Sequence, residues 1–340
     1  MDNPLLTVLV TSWNAEEYIV NCLRTVLNSV YPNLEIILID NHSDDDSIEM
    51  VKNELTQEEL KRIKIIVNDK NYGCPYLENQ GIVLAKGKYM SVICSDSYVS
   101  PFYFSEVVKT LESDDNIGAV SGKSFIMDKH LEIDSVGEYL SQYGILIQRH
   151  AGQERDNGQF NEQVEIFSVK GSALTVRTNV IKEIGGFPRD YFMYCEEMDV
   201  CWRIWLTGYR IVFVPEAIIC HAHGTSINKY PRFSWLVKFC GTKNYIYTLI
   251  KNLGFKNLLC IVPLNITMWL GIALYMLLGG RFKDSWHITC GIFWNLLNLG
   301  YVLKKRKEVQ NMRIVSDKEL MPKIMKKVSI RYLINRVFEW

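Results

Sequence analysis

The first third of the chain alternates apolar runs with segments of helical spacing, and this order restricts the fold more than any other feature. Apolar runs at 5–10, 34–39 and 63–67 predict strands. Between them, 15–27 and 47–55 carry apolar residues three to four positions apart, which predicts helices. A β-α-β-α-β order predicts an α/β fold with a largely parallel sheet, whose ligands bind at the carboxyl ends of the strands.

Polar residues follow the predicted strands at these carboxyl ends. They are Thr11, Trp13, Asn14, Asp40 and Asp96. Asp40 can hydrogen-bond a base or a ribose, and an Asx-turn with Ser43 is the structural alternative. Asp96 can bind Mg²⁺ or Mn²⁺, because these hard cations take carboxylate and phosphate oxygens, whereas a lone acid at a strand end can also simply form a turn.

Several classes of protein are disfavoured by what the sequence contains. There is no GxGxxG and no GxxxxGK[ST], which argues against a dinucleotide Rossmann site and a P-loop ATPase. Lys+Arg and Asp+Glu are both 38, so no excess of charge favours nucleic acid. The nine cysteines are scattered and form no CxxC pair, which predicts reduced thiols in a cytosolic catalytic part. The residues before the first strand do not resemble a cleavable signal peptide.

The segment 185–226 has the densest grouping of acids, aromatic residues and histidines. Glu196, Glu197 and Asp199 precede an apolar run, which predicts a short helix with its acids in the first turn, where the helix dipole favours them. Simple capping of that helix is one interpretation. Aromatic residues before the acids and His221 at the end of a later strand favour a site, since a carboxylate can act as a general base and a histidine can bind a metal or a phosphate.

The character of the sequence changes near residue 230. Segments 258–278 and 286–303 contain no Asp, Glu, Lys or Arg, and each is long enough to cross a bilayer core of ~30 Å. A basic run at 304–307 follows, and residues 304–340 carry a net charge of +7. These features predict a two-helix membrane hairpin with both ends in the cytosol. Interfacial or buried helices are the alternative.

Four parts of the chain follow from these patterns. We expect a catalytic domain over 1–230, an aromatic and basic connecting helix over 231–256, two apolar helices over 257–303, and a basic amphipathic tail over 304–340. Within the catalytic domain, the polar and irregular region 128–163 is expected to be an insertion over the site.

A set of motifs runs through residues 5–250 in a fixed order. They are Thr11–Asn14, Asp40-Asn41-x-Ser43-x-Asp45, Asn71-x-Gly73 with Asn79-x-Gly81, Asp96, Gly185-Gly186-Phe187, Tyr194-x-Glu196-Glu197-x-Asp199 with Trp202-Arg203, and His221-x-x-Gly224-x-Ser226. In this order and spacing, the chain resembles the family 2 glycosyltransferases of the GT-A fold and, within them, the rhamnosyltransferase-like branch.

The resemblance implies a Rossmann-like nucleotide-diphospho-sugar transferase domain, with a mixed sheet flanked by helices. The apolar runs that follow this domain predict a helical, membrane-associated C-terminal segment. It implies an inverting transfer in which Glu197 is the general base and Asp96, helped by His221, binds Mg²⁺ or Mn²⁺. The residues implied for the nucleotide-sugar are Thr11, Trp13, Asn14, Glu16, Asp40, Asn71, Gly73, Asn79, Ser95 and Asp96. The residues implied for the acceptor side are Tyr194, Glu196, Asp199 and Trp202.

The sequence departs from the family pattern at two positions. Cys94 replaces the first acid of the metal-binding DxD motif, and Glu197 replaces the usual catalytic aspartate. We expect an enzyme of polysaccharide or cell-envelope biosynthesis at the cytoplasmic face of the cell membrane. It would use a UDP- or dTDP-sugar and a lipid-linked or glycan acceptor. A processive synthase is disfavoured because no Gln-x-x-Arg-Trp motif occurs. A catalytically weak GT-A-like scaffold in a membrane glycan-assembly complex is the alternative from another class.

Overall fold

The computed structural model describes residues 3–129, 131–150, 154–171, 173–222 and 234–329. In chain order the strands are β1 (Leu6–Ser12), β2 (Leu34–Asp40), β3 (Ile63–Val67), β4 (Tyr89–Cys94), β5 (Ser97–Val99), β6 (Ile117–Ile126), β7 (Ile133–Ser135), β8 (Glu138–Ser141), β9 (Leu146–Gln148), β10 (Val164–Glu165), β11 (Ala173–Arg177), β12 (Arg210–His221) and β13 (Met325–Lys326). The helices are α1 (Ile19–Leu27), α2 (Ser47–Glu54), α3 (Gln57–Lys61), α4 (Cys74–Leu84), α5 (Tyr103–Ser113), α6 (Thr178–Glu183), α7 (Glu196–Leu206), α8 (Ser234–Asn252), α9 (Phe255–Leu278), α10 (Phe282–Leu297), α11 (Leu299–Met312) and α12 (Asp317–Ile324).

The main sheet has the strand order β10-β12-β6-β11-β4-β1-β2-β3. Strand β1 pairs in parallel with β2 and β4, and β6 pairs in parallel with β12. Strand β11 runs antiparallel to both of its neighbours, β4 and β6. The parallel strands therefore end at one edge of the sheet, and the turn before β11 lies at the same edge. The predicted α/β fold with a mixed sheet is confirmed.

Both faces of this sheet are buried, which explains why its central strands are continuously apolar. Along β1, Val8 and Val10 belong to a cluster that includes residues of α1, α2 and α5, whereas Leu9 belongs to a second cluster with α4, α6 and α7. Successive side chains of a strand point to opposite faces, so one short strand contributes to both clusters. A layer of helices therefore covers each face.

The polar region 128–163 contains more regular structure than its sequence predicts. Strand β7 pairs with β6, and β8 and β9 form a hairpin. Strand β13, from the basic tail, adds to β8 in parallel. The apolar residues of α12 (Leu320, Met321 and Ile324) are buried in the main core. The apolar side of α12, which belongs to the expected basic amphipathic tail, therefore packs against the catalytic domain.

The helices after residue 234 pack around α8, which contacts α7, α9, α10 and α11. The predicted apolar segment 286–303 is divided at Asn298, where α10 ends and α11 begins. Helix α9 is a continuous helix of 24 residues, and an 18-residue window within it has a mean hydropathy of 1.9. Within the described ranges it is the one helix that is long and apolar enough to cross a membrane, by length and composition.

Candidate active site

The loops after β1 and β2 are hydrogen-bonded into one surface. The backbone N–H of Asn14 donates to Ser43 Oγ at 2.8 Å, and the Asn14 side-chain oxygen accepts from the N–H of Asp44 at 2.7 Å. The N–H of Glu16 donates to the carboxylate of Asp45 at 3.1 Å. Asn14 has a φ of 51°, in a left-handed region that asparagine tolerates better than most residues. These contacts hold the two strand ends as a rigid edge.

Asp40 ends β2 directly beside Ser12 of β1. The Asp40 side chain is buried, and its two oxygens accept from the hydroxyl and the backbone N–H of Ser43. The turn with Ser43, which was the structural alternative for Asp40, is therefore present. A nucleoside contact by Asp40, with Thr11 and Trp13 at the same edge, stays a prediction.

Asn71, Gly73 and Asn79 connect α4 to the segment before α7. The Asn71 side-chain oxygen accepts from the N–H of Gly73 at 2.9 Å. Gly73 has a φ of 84°, and a Cβ there would lie 2.2 Å from the carbonyl oxygen of Phe192, so this close approach requires glycine. The Asn79 amide donates to the carbonyl of Phe187 and accepts from its N–H, both at 3.0 Å. These residues position the loop; their contact with a nucleotide stays a prediction.

Strand pairing brings Asp96 and His221 together. Strand β5 begins directly after Asp96 and pairs with the end of β12, where Ser97 lies opposite His221. His221 Nε2 is 3.5 Å from Asp96 Oδ1, and His221 Nδ1 is 3.1 Å from Asp134 Oδ2. Asp134, which also forms an ion pair with Lys170, was not identified from the sequence because it belongs to no motif.

His221 has a carboxylate beside each of its ring nitrogens. Burial disfavours its charged form, but hydrogen bonds to Asp134 and Asp96 outweigh burial and raise the pKa of His221 from 6.5 to about 9. Metal-binding histidines usually have the other ring nitrogen held by a carboxylate or a carbonyl, as Asp134 holds Nδ1 here. Within the described part of the chain, no group of three or more His, Cys, Asp or Glu side chains is arranged to hold a metal. Asp96 and His221 stay the predicted metal ligands, and a cation held by these two side chains would need its remaining ligands from another group, such as a diphosphate.

Cys94 connects the Asp96 turn to Glu197. The Cys94 thiol donates to the carbonyl oxygen of Gly171 at 3.1 Å. A Cβ on Gly171 would lie only 2.1 Å from Glu197 Oε1, so the Glu197 carboxylate rests against the backbone of residue 171. The next residue, Ser95, is buried, and its N–H donates to the carbonyl of Thr11 at 3.0 Å. In place of the first DxD acid, the thiol therefore bonds to the loop that carries Gly171.

Glu196 and Glu197 occupy the first turn of α7, as predicted, and Glu78 of α4 is a third acid that interacts with them. Glu196 and Glu78 are each 5% exposed, and one oxygen of each has no hydrogen-bond partner among the described residues. Burial raises the pKa of Glu196 to about 7. Burial, followed by the charge on Glu196, raises the pKa of Glu197 well above its usual range. A carboxylate of raised pKa is suited to accept a proton near neutral pH.

The turn into α7 has an uncommon backbone conformation that α8 supports. Tyr194 and Cys195 have φ values of 69° and 66°, which non-glycine residues rarely adopt. The side-chain amide of Asn244 donates to the carbonyls of Met193 and Tyr194 at 2.8 and 2.9 Å. Such conformations persist where surrounding contacts impose them. The role of Asn244 could not be predicted from the sequence, because this residue is about 50 positions from the loop.

Asp199 and Trp202 lie in the interior, which corrects their predicted place on the acceptor side. Both side chains are fully buried. The Asp199 carboxylate binds Arg203 and Lys251, each at 2.9 Å. Burial opposes ionisation of Asp199, but the charges on Lys251 and Arg203 outweigh burial and lower its pKa. Trp202 packs edge-on against Phe167 with ring centroids 5.2 Å apart. The motif residues Gly224 and Ser226 lie outside the described residues.

The mixed sheet, with helices on both of its faces, defines the class of fold as GT-A-like. The family model described as "Glycosyltransferase like family 2" matches residues 3–234, and the chain belongs to this family. The family predicted from the motifs is thereby confirmed.

Curated relatives and solved structures agree with this assignment. An uncharacterized glycosyltransferase of Haemophilus influenzae is 36% identical over 121 residues, which cover 35% of this chain and 37% of the relative. The poly-beta-1,6-N-acetyl-D-glucosamine synthase of Staphylococcus epidermidis is 25% identical over 220 residues, which cover 63% of this chain and 48% of the relative. The chain thus spans less than half of the length of either relative. The crystal structure of GalNAc-T7 with UDP, GalNAc and Mn²⁺ shares the fold, with a TM-score of 0.65 and 15% identity over 98% of this chain and 58% of that one.

Proposed function

We propose that this chain is an inverting glycosyltransferase of the rhamnosyltransferase-like branch. It would transfer a sugar from a UDP- or dTDP-sugar to a lipid-linked or cell-surface glycan. The observation that carries the proposal is the connection, through Cys94 and Gly171, between the Asp96–His221 pair and the carboxylate of Glu197. A single displacement needs two groups, a base and a group that stabilises the leaving diphosphate. Glu197, an acid with a raised pKa, is suited to the first role, and the candidate cation site at Asp96 and His221 is suited to the second.

The proposed reaction is one displacement at the anomeric carbon. The acceptor hydroxyl gives its proton to Glu197 as its oxygen bonds to the anomeric carbon, and the bond from that carbon to the diphosphate oxygen breaks on the opposite side. The electron pair of the broken bond leaves with the nucleoside diphosphate, and the configuration at the anomeric carbon inverts. Glu196, whose charge raises the pKa of Glu197, makes Glu197 a stronger base.

When bound, a divalent cation, Mg²⁺ or Mn²⁺, would neutralise the charge that develops on the diphosphate. Asp96 and His221 would hold this cation, and Asp134 would orient the imidazole. The presence of UDP and Mn²⁺ in the GalNAc-T7 structure supports this choice of donor and metal.

A membrane location is supported by the apolar surface of α9 and α10. The residues of these helices that are more than half exposed include Leu259, Leu264, Leu274, Leu278, Trp286 and Leu297. Ile261 and Val262, near the start of α9, are buried in the core of the catalytic domain, and α10 has only 16 residues where a span needs about 20. We therefore propose that the hairpin lies in the cytoplasmic interface of the cell membrane, with its exposed face toward the lipid.

Flotation with anionic liposomes tests the membrane proposal. Wild type is expected to float with the vesicles. The double change Leu274→Lys and Leu297→Lys should leave most of the protein at the bottom, because two charges would have to enter the acyl region. Val30→Lys, at an equally exposed apolar residue away from the hairpin, should behave as wild type. Flotation of the double variant equal to that of wild type would contradict the proposal.

Release of nucleoside diphosphate from UDP-, dTDP- and GDP-sugars tests the reaction. The donor that is hydrolysed fastest identifies the sugar, and Glu197→Gln should lower that rate by 10²–10⁴-fold while donor affinity stays within a few-fold. Glu183→Gln, at an exposed acid of α6, is the matched control. Equal rates for Glu197→Gln and wild type would remove Glu197 as the base. If Glu197→Gln still performs the cellular role of wild type, the alternative of a catalytically weak scaffold is favoured. The loss of the first DxD acid is the observation that motivates this alternative.

A further inference from the structure

A groove outside the proposed catalytic centre lies between α4, β3 and the loop that precedes α7. Its volume is about 530 Å³, within the range of small-molecule sites. The residues that line it include Ile66, Tyr72, Tyr76, Gln80, Val83 and Arg189. Its floor and walls are mainly apolar, and polar side chains are few.

A preassembled aromatic stack forms one wall of this groove. The rings of Tyr72 and Tyr76 are stacked, with centroids 4.2 Å apart and an interplanar angle of 17°. Lys70 Nζ lies 4.9 Å from the centroid of Tyr72, and the Tyr72 hydroxyl donates to Asp69 at 2.8 Å. These contacts fix Tyr72, so the ring of Tyr76 is already held in place. Tyr76 is 43% exposed, so a ligand in the groove can reach the face of its ring.

Polar groups stand beside the aromatic stack. Arg189 lines the groove from the opposite side and is exposed, and Gln80 is fixed by its hydrogen bond to Asn68 at 3.0 Å. Along α4, Tyr76, Gln80 and Val83 follow each other at helical spacing, so they form one continuous stripe. A pyranose has one face of C–H groups and an edge of hydroxyls. The aromatic face matches the former, and the exposed guanidinium of Arg189 matches the latter.

The groove shares its walls with the segment that leads to the proposed base. The N–H of Cys74, at the start of α4, donates to the carbonyl of Phe192 at 2.9 Å. Asn79 bonds to Phe187, two residues before Arg189, and the same loop continues to Glu197. A chain of sugars with one end at Glu197 would therefore have the groove beside it. A lipid tail is a poorer match, because an uninterrupted apolar surface is found on α9 and α10 instead.

We propose that this groove is a second glycan-binding subsite, which stacks a non-reacting sugar ring of the acceptor on Tyr76 and hydrogen-bonds it to Arg189. The subsite rests on the proposed transferase function, because it gives the acceptor a second point of attachment. It would lower the concentration of acceptor needed for transfer and would leave the chemistry at Glu197 unchanged.

Isothermal titration of the full chain with defined oligosaccharides tests the subsite. The probes are chitotetraose, maltotetraose and a β-1,6-linked N-acetylglucosamine tetrasaccharide. At least one is expected to bind wild type, and Tyr76→Ala should weaken that binding by about 10-fold, since a stacking partner is lost. Tyr76→Phe keeps the ring and should bind as wild type. Phe102→Ala, at an exposed aromatic residue elsewhere, should also bind as wild type.

Two binding results would overturn the subsite, and a third result comes from sedimentation. The binding results are no binding of any probe to wild type, or equal binding by wild type and Tyr76→Ala. A change in sedimentation coefficient on Tyr76→Ala would assign the groove to contacts between copies of the chain and would also overturn it. Donor hydrolysis without acceptor separates this inference from the proposed function. It should be equal in wild type and Tyr76→Ala. If wild type does not hydrolyse any donor, the proposed transferase function is rejected. Glycan binding that depends on Tyr76 would still support the subsite in that case.

Discussion

Gly171→Ala tests the proposed base without changing any ionisable group. A Cβ at residue 171 would lie 2.1 Å from Glu197 Oε1, whereas real contacts of a Cβ are essentially never below 3.0 Å. The Glu197 carboxylate or the loop of residue 171 must therefore move by about 1 Å. A misplacement of that size in an active site can cost about 10²-fold in rate, equivalent to about 2.7 kcal/mol of activation free energy.

The assay is donor hydrolysis, with rate and donor affinity measured separately. Gly171→Ala should lower the maximal rate by about two orders of magnitude, and donor affinity should stay within a few-fold because Asp96 and His221 are not displaced. Gly300→Ala is the matched control, since a Cβ there meets nothing within 4 Å. A Gly171→Ala variant with the rate of wild type would refute the reasoning, because it would show that the position of the Glu197 carboxylate does not limit turnover.

Three further outcomes are expected. Glu196→Gln removes a charge that raises the pKa of Glu197, so the rise of the maximal rate with pH should shift to lower pH, and an unchanged profile would contradict the coupling. Lys251→Met leaves the buried Asp199 with one cation fewer and should lower the free energy of unfolding in urea by about 3–5 kcal/mol. The exposed Lys61→Met should change it by no more than about 0.5 kcal/mol. EDTA should abolish hydrolysis and Mn²⁺ should restore it, whereas full activity in EDTA would reject the metal.

The sequence predicts the parts of the site that follow from strand order. Asp40 and Asp96 end parallel strands, and such ends meet at one edge of a sheet whatever the details of packing, so both could be located in advance. The carboxylate that holds His221 could not be located in advance. It belongs to Asp134, which reaches His221 through a β-hairpin in a region without a recognisable motif. Long-range pairing of this kind has no local sequence signal.

The burial of each acid in the motif that contains Glu197 and Asp199 could not be predicted either. Glu197 and Asp199 are two residues apart in the first turn of the same helix, yet one rests against Gly171 and the other is enclosed by cations. Residues two apart on a helix point to different sides, and only the position of α8 decides which side is the interior. Lys251 of α8, which pairs with Asp199, is about 50 residues away in the chain, so the pattern of acids alone could not assign the two roles.

The C-terminal helices contribute to the catalytic domain as well as to the apolar surface. Lys251 neutralises Asp199 beneath α7, and Asn244 bonds the carbonyls of the turn that precedes Glu196. Asn295 of α10 donates in turn to the carbonyl of Lys243, so the apolar hairpin is attached to α8 by a buried hydrogen bond. A chain ending at residue 230 would leave Asp199 without Lys251 and the left-handed turn without its amide donor. The apolar hairpin and the catalytic turn are therefore supported by the same helix, and contact of the hairpin with lipid would act on the helix that holds the proposed base.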